Sequence, residues 1–186
     1  MEKLRLEPLE TVVIIGAGTM GLVNAQAAKA KGCRVIVTEV MEKKIKVAKS
    51  MGLEVVNAAE GNAVEKIKAM TNGVGADSVI IAVGNTIANK QALDMIKKYN
   101  GKVLYFAAGY PAPELDIDSN YIHYKKVELL GTYGADMKDF FVAAKMLNEK
   151  LVDVSKLVET TFKLEDLQEA YKVASEAGCY RVSVLL

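Results

Sequence analysis

The sequence predicts an α/β protein: a doubly wound, mainly parallel six-stranded sheet with helices on both faces, extended at its C-terminus by a helix and a strand. Three observations carry this reading. Short β-branched runs alternate with helical stretches along most of the chain. The runs are apolar at consecutive positions, as strands covered by helices on both faces require. Glycines fall where the helices between them should end, at Gly32, Gly52 and Gly73, the place of left-handed caps. Such alternation implies right-handed β-α-β crossovers.

In chain order, the first run is Thr11–Ile15, which stops at Gly16. Others cover residues 34–38, 54–56, 78–83, 102–107 and 127–131. Between them, Ile45, Ala48 and Met51 share one helical face with lysines opposite. Phe140, Ala144, Leu147 and Leu151 repeat at helical spacing. Residues 107–120, with two prolines and several acids, break the rhythm as a long loop. Beyond residue 150 a strand is predicted at 158–162 and a helix at 165–177, with Leu167, Ala170, Tyr171 and Ala174 inward. A final strand is predicted at 180–186. The expected division is a main domain, 1–150, and an extension, 151–186.

Composition narrows the function classes. The chain is 51% hydrophobic and 25% charged, ordinary for a soluble globular protein. Twenty-four basic and 23 acidic side chains leave a net charge of +1. No basic field exists to attract a phosphate backbone, so nucleic acid is not an expected partner. No apolar run approaches the ~18 residues of a membrane span, and residues 1–10 hold no signal-peptide core. No membrane association is expected, and the expected location is cytoplasmic. Cys33 and Cys179 are expected to be reduced, structural thiols.

The chemistry-bearing motif is Gly16-Ala17-Gly18-Thr19-Met20-Gly21. A GxGxxG alone is a weak signal, but this one closes a predicted strand and opens a helix. Gly16 permits the tight turn, Gly18 leaves the backbone open to a pyrophosphate, and Gly21 lets helix pack on strand. Amides of the helix start, Thr19 and Met20 among them, then face the anion. Glu39 closes the second strand, where a carboxylate accepts from ribose hydroxyls and repels a 2′-phosphate. NAD is therefore favoured over NADP. Lys43 and Lys44 are the counterweight, and read equally as a solvated helix face. Val83-Gly84-Asn85 and Ala107-Ala108-Gly109 close the fourth and fifth strands at the same edge. Small residues there leave room for a dinucleotide, or simply make tight turns. The expected fold is thus of the Rossmann type.

Residues 11–21, 35–39 and 75–80, Gly131-Thr132-Tyr133-Gly134, and Asp139-Phe140 together resemble the cofactor domain of zinc-type medium-chain dehydrogenases. The closest flavour is that of polyol, threonine and sugar-alcohol members. The resemblance runs from about residue 10 to the end. It implies an NAD(P)-dependent alcohol–ketone oxidoreductase, with Gly16, Gly18 and Gly21 at the phosphate turn and Glu39 on the ribose. Lys44 matches a basic residue near that ribose. Arg181 matches a basic position near the pyrophosphate, though a plain surface role fits it nearly as well. Residues 115–117 resemble the edge strand through which members pair, so a homodimer is expected.

One departure matters. Members carry an amino-terminal domain with cysteine, histidine and glutamate ligands for catalytic zinc, whereas 15 residues precede Gly16 here. Cys33, Cys179 and His123 form no evident ligand set for a zinc that needs about three. The expectation is therefore NAD(H) binding without a catalytic residue or zinc in this chain, the absent catalytic domain being its partner. The alternative is a stand-alone NAD(H)-sensing module. Tyr121 and Lys125 have the four-residue spacing of the short-chain dehydrogenase pair. They follow the wrong strand and lack a serine.

Overall fold

The structure is a computed structural model that describes residues 1–186. After a short 3-10 turn at Glu2–Leu4, strands and helices alternate as β1 (Thr11–Ile15), α1 (Thr19–Ala30), β2 (Arg34–Glu39), α2 (Glu42–Ser50), β3 (Glu54–Asn57), α3 (Ala63–Met70), β4 (Ser78–Ile81), α4 (Thr86–Met95), β5 (Lys102–Tyr105), α5 (Ser119–Lys125) and β6 (Glu128–Gly131). Then come α6 (Met137–Asn148), β7 (Val158–Lys163), α7 (Leu167–Ala174) and β8 (Arg181–Leu185).

Strands β1 to β6 form one parallel sheet in the order β3-β2-β1-β4-β5-β6. The order reverses direction at β1, which pairs Val13 with Ile36 of β2 on one side and Val79 of β4 on the other. Alternate side chains serve opposite faces. Val12, Ile14, Val35, Val37, Ile80 and Leu104 pack with Leu22, Ala25 and Ala28 of α1 and Ala48 of α2. Val13, Ile15, Ile36, Val79, Ile81 and Val103 pack with Ile67 of α3 and Ala88, Ala92 and Met95 of α4. This is the physical reason for the unbroken apolar runs: neither face of a central strand meets water. Each such side chain contributes about 1.5–3 kcal/mol on burial.

The glycine caps form as expected, with φ of 84° at Gly32, 69° at Gly52 and 81° at Gly73. Strands β4 and β5 end two residues earlier than expected, because the chain turns into loops at Ala82 and Phe106. The C-terminal part is β7-α7-β8, a separate two-stranded parallel ribbon. Leu157 and Tyr180 anchor it in the α1-side core. Gln26 bridges Asp153, accepting from its N–H at 2.7 Å and donating to its carbonyl at 2.9 Å.

Two expectations need correction. Residues 115–117 form no strand. Pro111 and Pro113 lack the N–H groups a ladder needs, and the segment is tied instead by Asn89 Nδ2 donating to the Glu114 carbonyl at 2.8 Å. The outer strand of the sheet on that side is β6. In α7 only Ala170 is buried; Leu167, Tyr171 and Ala174 are exposed, because the short helix touches mainly its own ribbon. The helical spacing in α6 is also not matched by burial: none of its residues is buried, and Phe140 and Leu147 are both exposed. No helix is long and apolar enough to cross a membrane.

Candidate cofactor site

The carboxyl ends of β1 and β2 bring the GxGxxG turn and Glu39 together. Gly16 takes φ 102°, where a Cβ would also lie 2.5 Å from Val83 Cγ1. At Gly21 a Cβ would lie 2.0 Å from the Gly16 carbonyl oxygen, so only glycine lets α1 start this close to its own strand. Gly18 differs: a Cβ there would meet nothing within 4 Å. Its missing side chain leaves an open cradle.

Gly18 is the N-cap of α1 and supplies no side-chain cap. The N–H groups of Gly18, Thr19, Met20 and Gly21 find no acceptor; the first amide of α1 with a partner is Leu22, bonded to the Gly18 carbonyl at 2.9 Å. Orphan donors at a helix start, aligned with the helix dipole, favour an anion. Gly18 and Thr19 are half-exposed and Met20 is exposed, so the donors are reachable.

Glu39 is almost fully buried, and its carboxylate accepts three backbone N–H bonds. Oε2 takes Ala17 at 2.8 Å, while Oε1 takes Val40 at 2.7 Å and Met41 at 2.9 Å. These donors compensate the buried charge. A carboxylate offers about four acceptor positions, so Oε2 keeps one for a hydroxyl. A crevice of about 320 Å³ opens beside it, lined by Gly16, Thr38, Glu39, Ala58, Asn85 and Gln91 among others. It lies where the strand order reverses, the place where open α/β sheets hold ligands.

The sequence-predicted residues divide. Gly16, Glu39, Val83 and Asn85 line the crevice. Gly18, Thr19, Met20 and Gly21 lie outside its lining, just beyond Gly16 at the start of α1. Asn85 also caps α4, its Oδ1 accepting from Ala88 N–H at 2.8 Å. Gly84, Ala108 and Gly109 have a second reason to be small. A Cβ on Gly84 would lie 2.2 Å from the Ala108 carbonyl oxygen, and one on Gly109 2.3 Å from that of Gly84. The β4 and β5 loops thus touch backbone to backbone, and Ala107 stands half-buried beside them. Lys44 is half-buried on α2 and unpaired, outside the crevice lining. Arg181 is exposed and unpaired.

Sequence reasoning missed Thr38, Ala58 and Gln91, although extending the strand-end argument to β3 would have reached Ala58. It also missed Tyr180, for which the sequence carries no signal. The Tyr180 hydroxyl donates to the Ala17 carbonyl at 3.0 Å, and burial together with the Glu39 charge pushes its pKa up to about 12.

A larger cavity, about 780 Å³, lies between α1 and α6 over Leu104 and Phe106. Its lining shares no residue with the crevice, and its acids Asp136 and Asp139 are engaged in capping α6. The smaller crevice is the better candidate because Glu39 lines it and the free donors follow directly on its Gly16.

For zinc the residues present do not fit. Cys33 donates to the Glu7 carbonyl at 3.4 Å, and burial raises its thiol pKa. Cys179 lies beside the Lys43–Glu159 ion pair, and His123 is exposed on α5. No three His, Cys, Asp or Glu side chains are grouped to hold a metal. Lys125 Nζ sits 4.8 Å over the Tyr99 ring, and its carbonyl accepts from Asn100 at the amino end of β5, away from the crevice. For a dinucleotide the residues do fit, through the open cradle at Gly18 and the free amides.

Fold and strand order are those of a Rossmann-type domain. The family model described as zinc-binding dehydrogenase matches residues 19–149, and the chain belongs to that family. A sorbitol dehydrogenase of Halalkalibacterium halodurans is 29% identical over 177 residues, 93% of this chain and 51% of that protein. A putative zinc-binding dehydrogenase of Clostridium scindens superposes with TM-score 0.90 at 21% identity, covering 100% of this chain and 52% of that one. One from Sinorhizobium meliloti, bound to NADP, gives TM-score 0.87 at 22% identity, covering 97% and 53%. The chain thus spans about half the length of these relatives.

Proposed function

We propose that this chain binds a nicotinamide dinucleotide, NAD(H) in preference to NADP(H), as the cofactor part of a zinc-dependent alcohol or polyol oxidoreductase, and does not turn substrate over alone. The observation that carries the reading is the run of free amides at residues 18–21, which follows directly on Gly16 in the lining of a crevice that Glu39 borders. A bound dinucleotide supplies the hydride acceptor or donor. The chain's own groups hold and orient it: amides of the α1 start take the diphosphate, and the spare acceptor of Glu39 takes a ribose hydroxyl. A 2′-phosphate placed there would meet the Glu39 charge, which favours NAD although the Sinorhizobium relative binds NADP. The family relationship and the sorbitol dehydrogenase relative support the oxidoreductase class. No metal-ligating cluster and no cationic side chain lines the crevice to stabilise an alkoxide, hence the expected lack of turnover.

Calorimetric titration tests this. NADH should bind more tightly than NADPH, and Glu39→Gln should weaken NADH by about tenfold or more, the scale of a hydrogen bond to a charged group, with a smaller loss for NADPH. Equal losses would remove the ribose role. No NADH binding at all would remove the function.

A further inference from the structure

Ala17 is held from two sides, the peptide before it by Glu39 and the peptide after it by Tyr180. Ala17 N–H donates to Glu39 Oε2 at 2.8 Å, and the Ala17 carbonyl accepts from the Tyr180 hydroxyl at 3.0 Å. In a planar trans peptide the carbonyl and the following N–H point in opposite directions. Drawing the Ala17 carbonyl towards Tyr180 therefore turns the Gly18 N–H the other way. That N–H has no acceptor, and the space at the Gly18 Cα is open. Tyr180 is nearly fully buried and belongs to the core, but it comes from the C-terminal ribbon, 163 residues along the chain from Ala17. The ribbon is fastened on the same side. Glu159 of β7 pairs with Lys43 of α2 and accepts from the Tyr180 N–H at 2.9 Å, and Lys156 Nζ donates to the Ser50 carbonyl at 2.9 Å.

We propose that Tyr180 is a positioning residue for diphosphate binding: its hydroxyl fixes the Ala17–Gly18 peptide so that the Gly18 amide faces the ligand, and docking of the C-terminal ribbon is thereby coupled to grip on the diphosphate. The proposal rests on the dinucleotide reading. Coupling between two binding events is reciprocal, so a diphosphate on the turn steadies the ribbon as the ribbon steadies the turn. Glu39 cannot replace the hydroxyl, because it holds the N–H side of Ala17 and leaves the carbonyl free to rotate.

The probes are ADP, which carries the diphosphate, and adenosine, which does not, each titrated by NMR. Tyr180→Phe keeps the ring and removes one oxygen. It should weaken ADP by about tenfold, the equivalent of one lost hydrogen bond, leave adenosine unchanged, and shift the Gly18 amide resonance. In the unaltered protein, ADP but not adenosine should slow amide exchange in β7 and β8. This second measurement stands even if the variant folds poorly. Equal ADP affinity in variant and parent, parallel loss for both ligands, or no ADP-specific protection of the ribbon would overturn the positioning role while leaving the dinucleotide reading intact. Failure of the unaltered protein to bind ADP would overturn both.

Discussion

Helices α1 and α6 are each 12 residues long, and they behave in opposite ways. By local signals α6 is the better helix. It starts with a capping box in which Asp136 and Asp139 exchange 3.0 Å bonds, each side chain accepting from the other's N–H. Helix α1 has no side-chain cap and contains a glycine in its first turn. Yet α1 buries six residues and α6 none. Small side chains explain the first result: Gly21, Ala25 and Ala28 let α1 sit directly on the sheet. Bulky ones accompany the second, since Phe140 and Phe141 are exposed and an apolar cavity separates α6 from α1. Of the 46 buried residues only Val152, Leu157, Ala170 and Tyr180 lie beyond Gly131. The difference also has a functional side. The N-terminus of α6 is satisfied by its own aspartates, whereas that of α1 is left with donors for something else. A cap that stabilises a helix also closes it to an anion.

The widest separation should appear in stability. Leu22→Ala in α1 removes a fully buried side chain and should cost about 2–5 kcal/mol in urea unfolding. Phe140→Ala in α6 should cost less than about 1 kcal/mol, since 68% of that residue is already exposed. Similar losses at both would mean that α6 is packed in solution and would break the comparison.

Exchanging the caps gives a second, smaller effect. Gly18→Asp supplies α1 with the cap it lacks, in space where a Cβ meets nothing. It should change the thermal midpoint little, because Asp gains only a few tenths of a kcal/mol over Gly at an N-cap. It should weaken NADH by about tenfold or more, through a charge set against the phosphates. Asp136→Ala should cost about 1 kcal/mol of stability with no change in NADH affinity. Unimpaired NADH binding by Gly18→Asp would mean that the amides of α1 are not the anion site.

The smallest effect tests whether surface ion pairs, rather than the core, distinguish the dense half. Arg34 binds Glu54 between β2 and β3 with bonds of 2.8 and 2.7 Å. The guanidinium holds the Glu54 carboxyl below its ordinary value of 4.5. A lowered native value means that the stabilisation is complete above the ordinary value and fades as pH falls through the lowered one. Both side chains are well exposed, so Glu54→Gln should cost at most about 0.5 kcal/mol at pH 7. The difference should vanish in strong acid. A larger cost at pH 7, read by urea unfolding, would assign the pair a structural weight that its exposure argues against.

Much of this architecture was legible beforehand. All six sheet strands were: the central ones are buried on both faces and read as apolar runs, and the edge strands β3 and β6 keep a shorter apolar pair at their centre. The turn and Glu39 were legible because GxGxxG has a spacing and a carboxylate at a strand end has a place. The edge strand at 115–117, expected from family resemblance, did not form, because a ladder needs a neighbour and backbone donors. The inward face assigned to α7 was misread because amphipathic spacing names a face without naming what covers it. Gly84 and Gly109 were read as room for a ligand, whereas the close approach of two loops also demands them.

Unaided, the amino-acid order determined which segments become strands, where helices α1, α2 and α3 are capped, and that a glycine-rich turn follows β1. These follow from periodicity, caps and glycine conformations, all of which act within a few residues. Tertiary structure alone decided which helices are buried, that Glu39 has one acceptor to spare, and that a tyrosine 163 residues away holds the turn's central carbonyl. Those features depend on which distant groups meet, and a hydrogen bond between partners so far apart in sequence leaves no local pattern to read.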